Sequence, residues 1–169
     1  MDQQIDNKVE LKVRLANFFK HNKKKFIFLI SFLLIFIFLI FLYNNHKEKK
    51  NIEISEQFIN AGLLLSSQEY EESKKIFERI IFSENKFYSK LALNTIIEKK
   101  LEKNNQKILE YFKIIENLNY SQDQKDLILL KKALFLINIK KSDEGKKILK
   151  KLIESNSKVK TLAEEVIQN

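Results

Sequence analysis

Apolar residues along this chain fall into two regimes. Between Phe26 and Tyr43 they are continuous, 18 residues in a row with Ser31 as the one clearly polar interior member. A helix of that length reaches about 27 Å at ~1.5 Å per residue, close to a hydrocarbon core of ~30 Å. Being apolar on every face, it has no side to show to water, and a chain of 169 residues cannot bury it in a soluble core. The pattern predicts a transmembrane helix over 26–43, held in membrane lipid by Phe26, Phe32, Phe36 and Phe41, with Tyr43 at the interface. The run is longer than the apolar part of a signal peptide, and no small-x-small cleavage site follows it, so an uncleaved signal anchor is expected.

Beyond the span the pattern becomes periodic. Residues 44–51 are a polar linker, able to continue the membrane helix. After it, apolar positions recur every three or four residues in successive blocks, the signature of amphipathic helices. The blocks predict helices over 52–66, 69–82, 86–101, 105–118, 123–139 and 142–154, with a last one over 158–168 acting as a cap.

These blocks repeat. Ser73-Lys-Lys-Ile-Phe-Glu-Arg-Ile-Ile81 resembles Gly145-Lys-Lys-Ile-Leu-Lys-Lys-Leu-Ile153 at an offset of 72 residues, and Ile108 to Glu116 lies midway. The large apolar residues Phe77, Phe112 and Leu149 are 35 and 37 residues apart. Such a period is two helices and two turns, the size of a tetratricopeptide-type hairpin. The repeat-packing positions are Tyr70, Ser73 and Phe77 in the first unit, Ile108 and Phe112 in the second, and Gly145 and Leu149 in the third. A small residue at Ser73 and Gly145 suits a close approach of two helix backbones; Ile108 departs from that rule. The first-helix Trp-x-x-Leu-Gly-x-x-Tyr signature is absent. The expected domain, 52–169, is a divergent array of about three helical hairpins, each burying a face on its neighbour.

Composition agrees with an all-α class. There is no Pro, and Gly62 and Gly145 are the two glycines, too few for the turns of a β-rich fold. The absence of Cys removes disulfides and thiolate chemistry. The net charge of +9 is split between the basic segment 1–25 and a mixed-sign domain. Its lysine pairs recur along amphipathic helices as solvated faces, which argues against a nucleic-acid partner.

Charge also sets the expected orientation. The fifteen residues before the span hold six Lys/Arg, and the fifteen after it hold three. That bias places the N-terminus in the cytoplasm and the domain outside it. Residues 2–20, with Leu11, Leu15 and Phe18 on one helical face, read equally as a short lipid-surface helix or as a loosely ordered topology tail.

The order of parts, a charged N-terminus ending in Phe18-Phe19-Lys-His-Asn-Lys-Lys-Lys25, one span, then a tetratricopeptide-like domain, resembles the bacterial YfgM-like family of ancillary SecYEG translocon subunits. The resemblance implies a single-pass inner-membrane protein with a periplasmic domain. It further implies work beside translocon subunits and periplasmic chaperones in handling exported proteins. The chain ends after the first helix of what would be a fourth repeat.

His21 and His46 lie on opposite sides of the span and cannot share a metal; there is no His-Glu-x-x-His, no glycine-rich phosphate loop and no Gly-x-Ser-x-Gly elbow. Acidic pairs such as Glu71-Glu72 and Asp143-Glu144 sit early in helices, where they suit the helix dipole. No cofactor, metal site, small-molecule substrate or enzymatic activity is therefore expected. The expected function is that of a membrane-tethered binding module for protein partners. The alternative is an envelope assembly protein that self-associates through its helical domain. Tyr88, Tyr111 and Tyr120 are either exposed anchors for a partner or members of the core.

Overall fold

A computed structural model describes residues 22–168. The basic segment up to His21, with the expected surface helix and the Phe18-Phe19 pair, lies outside the described residues. So do Asn169 and the side chain of Phe26.

The described chain is all-helical. Seven helices follow one another: α1 Lys23–Ser66, α2 Tyr70–Phe82, α3 Tyr88–Glu98, α4 Asn105–Glu116, α5 Gln122–Asn138, α6 Ser142–Glu154 and α7 Lys160–Gln168. No strand occurs among the described residues. The chain divides into two compact units at Lys50/Asn51.

Helix α1, whose residues up to Lys50 belong to the first unit, is long and apolar enough to cross a membrane, and it is one helix of 44 residues that continues through the expected linker 44–51. Residues 44–51 are helical because Asn, His, Lys and Glu carry no backbone constraint against it, and no Pro or Gly interrupts them. Phe32, Phe36, Phe41 and Tyr43 are all exposed, at 64%, 56%, 64% and 69%. A water-facing surface of that composition would be strongly unfavourable at about 25 cal/mol per Å² of apolar area.

In the second unit, two apolar clusters make the core. One runs from Ile54 and Ala61 through Phe77, Ile80, Ile96, Ile108 and Phe112 to Ile128. The other gathers Leu130, Ala133, Leu149, Leu152 and Ala163. Helix α5 feeds both, because its apolar positions fall on two sides of its axis.

Helices end without glycine. Gln68, Glu84, Lys100, Lys140 and Asn156 have φ of 66°, 57°, 51°, 65° and 51°, and each stands two residues past the end of a helix. Their N–H groups donate to carbonyls of the preceding turn, as Lys100 does to Ile97 at 3.2 Å and Lys140 to Ile137 at 3.1 Å. The next N–H reaches one carbonyl further back, Leu101 to Ile96 at 3.0 Å and Lys141 to Leu136 at 2.9 Å. This left-handed cap satisfies carbonyls that the helix leaves open. At α4 the start is capped instead: the Asn104 side chain accepts from the Gln106 and Lys107 N–H groups at 2.9 and 3.3 Å.

Candidate functional site

Three pairs of positions, each twelve residues apart, set the spacing of successive helices. Ser73 is fully buried, and its hydroxyl donates to the Ala61 carbonyl at 2.8 Å across α1 and α2. Gly145 stands against α5 so closely that a Cβ there would lie 2.8 Å from the Ala133 carbonyl oxygen and 2.7 Å from Ile137 Cγ1. The corresponding residues of the middle unit are Ile96 and Ile108, both large and both buried. Helices α3 and α4 accordingly touch less extensively than α5 and α6.

A groove of about 570 Å³ opens beside this wider hairpin. Ile97 and Glu98 of α3, the α3–α4 turn, Ile108 of α4, and Lys131, Leu134, Phe135 and Asn138 of α5 line it. A narrower cleft of about 40 Å³ shares Asn94 and Lys131 with it and continues between Lys90, Leu93 and Leu127. Apolar side chains on the α5 rim stay exposed, Leu127 at 45% and Leu134 at 43%.

The charges of the groove are unevenly satisfied. Glu102 lies near Lys107 at 3.5 Å and Lys74 at 3.8 Å, and it accepts the Asn104 N–H at 2.8 Å. That backbone hydrogen bond, helped by the two lysines, holds its carboxyl below the usual range. Lys131 donates to the Asn94 side-chain oxygen at 3.0 Å. Lys90 sits 4.6 Å above the Tyr120 ring. Burial, and then the charge of Lys131, lowers the Lys90 pKa. Among the described residues neither Lys90 nor Lys131 has a carboxylate partner.

The other expected packing residues separate clearly. Phe77, Phe112 and Leu149 are buried at 1%, 2% and 0% exposure. Tyr70 is 52% exposed: it is the first residue of α2, where its side chain has no preceding turn to cover it. Of the three tyrosines left open between core and surface, Tyr111 and Tyr120 are core, and Tyr88 is half-buried against Phe58 at a ring distance of 5.7 Å. Burial, followed by a 2.7 Å hydrogen bond to Glu78, pushes the Tyr111 phenol up. Burial alone raises Tyr120 to about 12. His46 is exposed on α1, and no group of three metal-ligating side chains occurs among the described residues.

The sequence reads Leu134, with Leu127, as a periodic apolar position of its helix and Lys131 as half of a solvated lysine pair, and marks neither Lys90 nor Asn94. One signal was available: Asn94 and Lys131 are 37 residues apart, the spacing of Phe112 and Leu149. No family model, curated protein or solved structure matches the chain.

Proposed function

We propose that this chain is a membrane-anchored helical-repeat binding protein whose domain is a divergent tetratricopeptide-like array. The observation that carries the repeat reading is that six of its cross-helix hydrogen bonds share a sequence separation near 35 residues. Asn85 reaches Asn51, Tyr88 reaches Ser55, Tyr111 reaches Glu78 and Tyr120 reaches Lys86, at separations of 34, 33, 33 and 34 residues. Lys131 and Asn94, then Lys158 and Asp123, continue the series at 37 and 35. Contacts that recur at one hairpin's length are what a stack of similar hairpins produces, each unit touching its neighbour.

In this reading α1 inserts once into a bacterial inner membrane with its basic end in the cytoplasm, and the domain stands in the periplasm. The resemblance to the YfgM-like family supports work beside translocon subunits and periplasmic chaperones on exported proteins. The groove between α3 and α5 is the surface offered to a protein partner, because it combines exposed apolar side chains with uncompensated charge. A photo-crosslinker placed at Leu134 in native membranes tests this. Translocon or chaperone adducts identified by mass spectrometry are expected; adducts only with unrelated membrane neighbours would contradict it.

A second reading, self-association as an envelope assembly protein, is favoured by the exposed apolar residues Ile52, Ile59 and Leu63 on α1, at 52%, 60% and 63%. Sizing the full-length protein in detergent separates the two: a stable homo-oligomer supports the second.

A further inference from the structure

The geometry points to an acidic amphipathic segment of a protein partner as the occupant of the α3–α5 groove, its apolar face on Leu127 and Leu134 and a carboxylate between Lys90 and Lys131. This rests on the binding-module reading and adds the chemistry of the partner.

The argument is one of complementarity. Leu127 and Leu134 are seven residues apart on α5, and Lys131 stands between them on the same face. A partner must therefore offer apolar side chains and an anion together. Lys90 comes from the facing helix α3 and lines the same narrow cleft as Lys131 and Asn94. Lys131 uses one ammonium proton on Asn94 at 3.0 Å, which fixes it at the groove and leaves two donors for an incoming oxygen. The two lysines repel one another, and Lys90 is partly removed from water; an anion shared between them relieves both costs. Glu98 and Glu102 lie at the wide end of the groove, by the α3–α4 turn, and Glu102 already has lysine neighbours. Lys100 and Lys103 line that wide end beside the two glutamates, whereas the narrow cleft is lined by Lys90 and Lys131 and by no carboxylate.

A protein segment fits better than a nucleic acid. Phosphates offer no apolar face for the two leucines, and the aromatic ring lining the narrow cleft, Phe112, is buried and closed to base stacking.

The test uses the full-length protein in nanodiscs of zwitterionic lipid and three labelled helical peptides. One carries Leu with Glu, one Leu with Lys, and one Ser with Glu. The Leu/Glu peptide is expected to bind about tenfold more tightly than the Leu/Lys peptide, the size of two part-exposed charge contacts, and more tightly than the Ser/Glu peptide, which has no apolar face for Leu127 and Leu134. The double variant Lys90→Glu/Lys131→Glu is expected to invert the preference, favouring the Leu/Lys peptide. Misfolding cannot produce that gain. Equal binding of the Leu/Glu and Leu/Lys peptides, or a preference that survives the double variant, would overturn the acidic partner while leaving the binding-module reading intact. Binding of no peptide at all would overturn both. Displacement of the Leu/Glu peptide by vesicles of anionic phosphatidylglycerol, but not by zwitterionic vesicles, would overturn it in favour of a lipid headgroup.

Discussion

The third hairpin and the middle one solve the same packing problem in opposite ways. In the third, α5 and α6 close until Gly145 meets the Ala133 carbonyl, with no room for a Cβ. In the middle, Ile96 and Ile108 fill the corresponding positions, α3 and α4 touch less extensively, and a groove of about 570 Å³ lies alongside. The position where Ile108 departs from the small-residue rule is thus on a helix pair that touches less extensively than α5 and α6 do. A large residue where the other two helix pairs carry a small one goes with a helix contact less intimate than that of α5 and α6 and a groove beside it.

Substitutions at these positions should have opposite logic. Ile108→Ala removes a buried side chain from the middle hairpin and should destabilise the domain by about 3 kcal/mol, read by chemical denaturation of the full-length protein in detergent. Gly145→Val forces a side chain against backbone in the third hairpin and should lose about 2 kcal/mol in the same measurement, although it enlarges an apolar residue. If Gly145→Val were neutral, the close approach would be absent. Ser73→Ala deletes the hydroxyl bonded to the Ala61 carbonyl and should lose about 1 kcal/mol.

The two glycines sharpen the contrast further. A Cβ on Gly62 would meet nothing within 4 Å, whereas one on Gly145 would collide with backbone. Gly62→Ala should therefore stabilise the domain by somewhat under about 1 kcal/mol, through helix propensity alone, as a small upward shift in the denaturation midpoint. A loss of stability at Gly62 would mean that this part of α1 is more crowded than its surroundings indicate.

The helices were legible because little in the chain competes with them. Without Pro, and with glycine at two positions, the 3.6-residue spacing of Ile, Leu and Phe set the helices from α2 onward to within a few residues, from the expected 69–82 against Tyr70–Phe82 to the expected 142–154 against Ser142–Glu154, whereas the expected span 26–43 and helix 52–66 are one helix, α1. The turns were less legible. Gln68, Glu84 and Lys100 adopt left-handed caps that glycine would advertise but that a glutamine, a glutamate or a lysine does not. The fate of the tyrosines depended on tertiary partners: Tyr111 enters the core because Glu78, 33 residues away, accepts its hydroxyl. The groove was invisible for a related reason. Lys90, Asn94, Lys131 and Leu134 look like ordinary polar and apolar positions of two helices until those helices are set side by side.

The proposed topology puts the N-terminal segment and the grooved domain on opposite sides of a membrane. Because the chain has no Cys, single cysteines report cleanly. Asn7→Cys and Leu134→Cys should be compared in spheroplasts treated with a membrane-impermeant maleimide. That topology predicts labelling of Leu134→Cys in intact spheroplasts and of Asn7→Cys only after permeabilisation. Labelling of Asn7→Cys alone, or of both before permeabilisation, would contradict it.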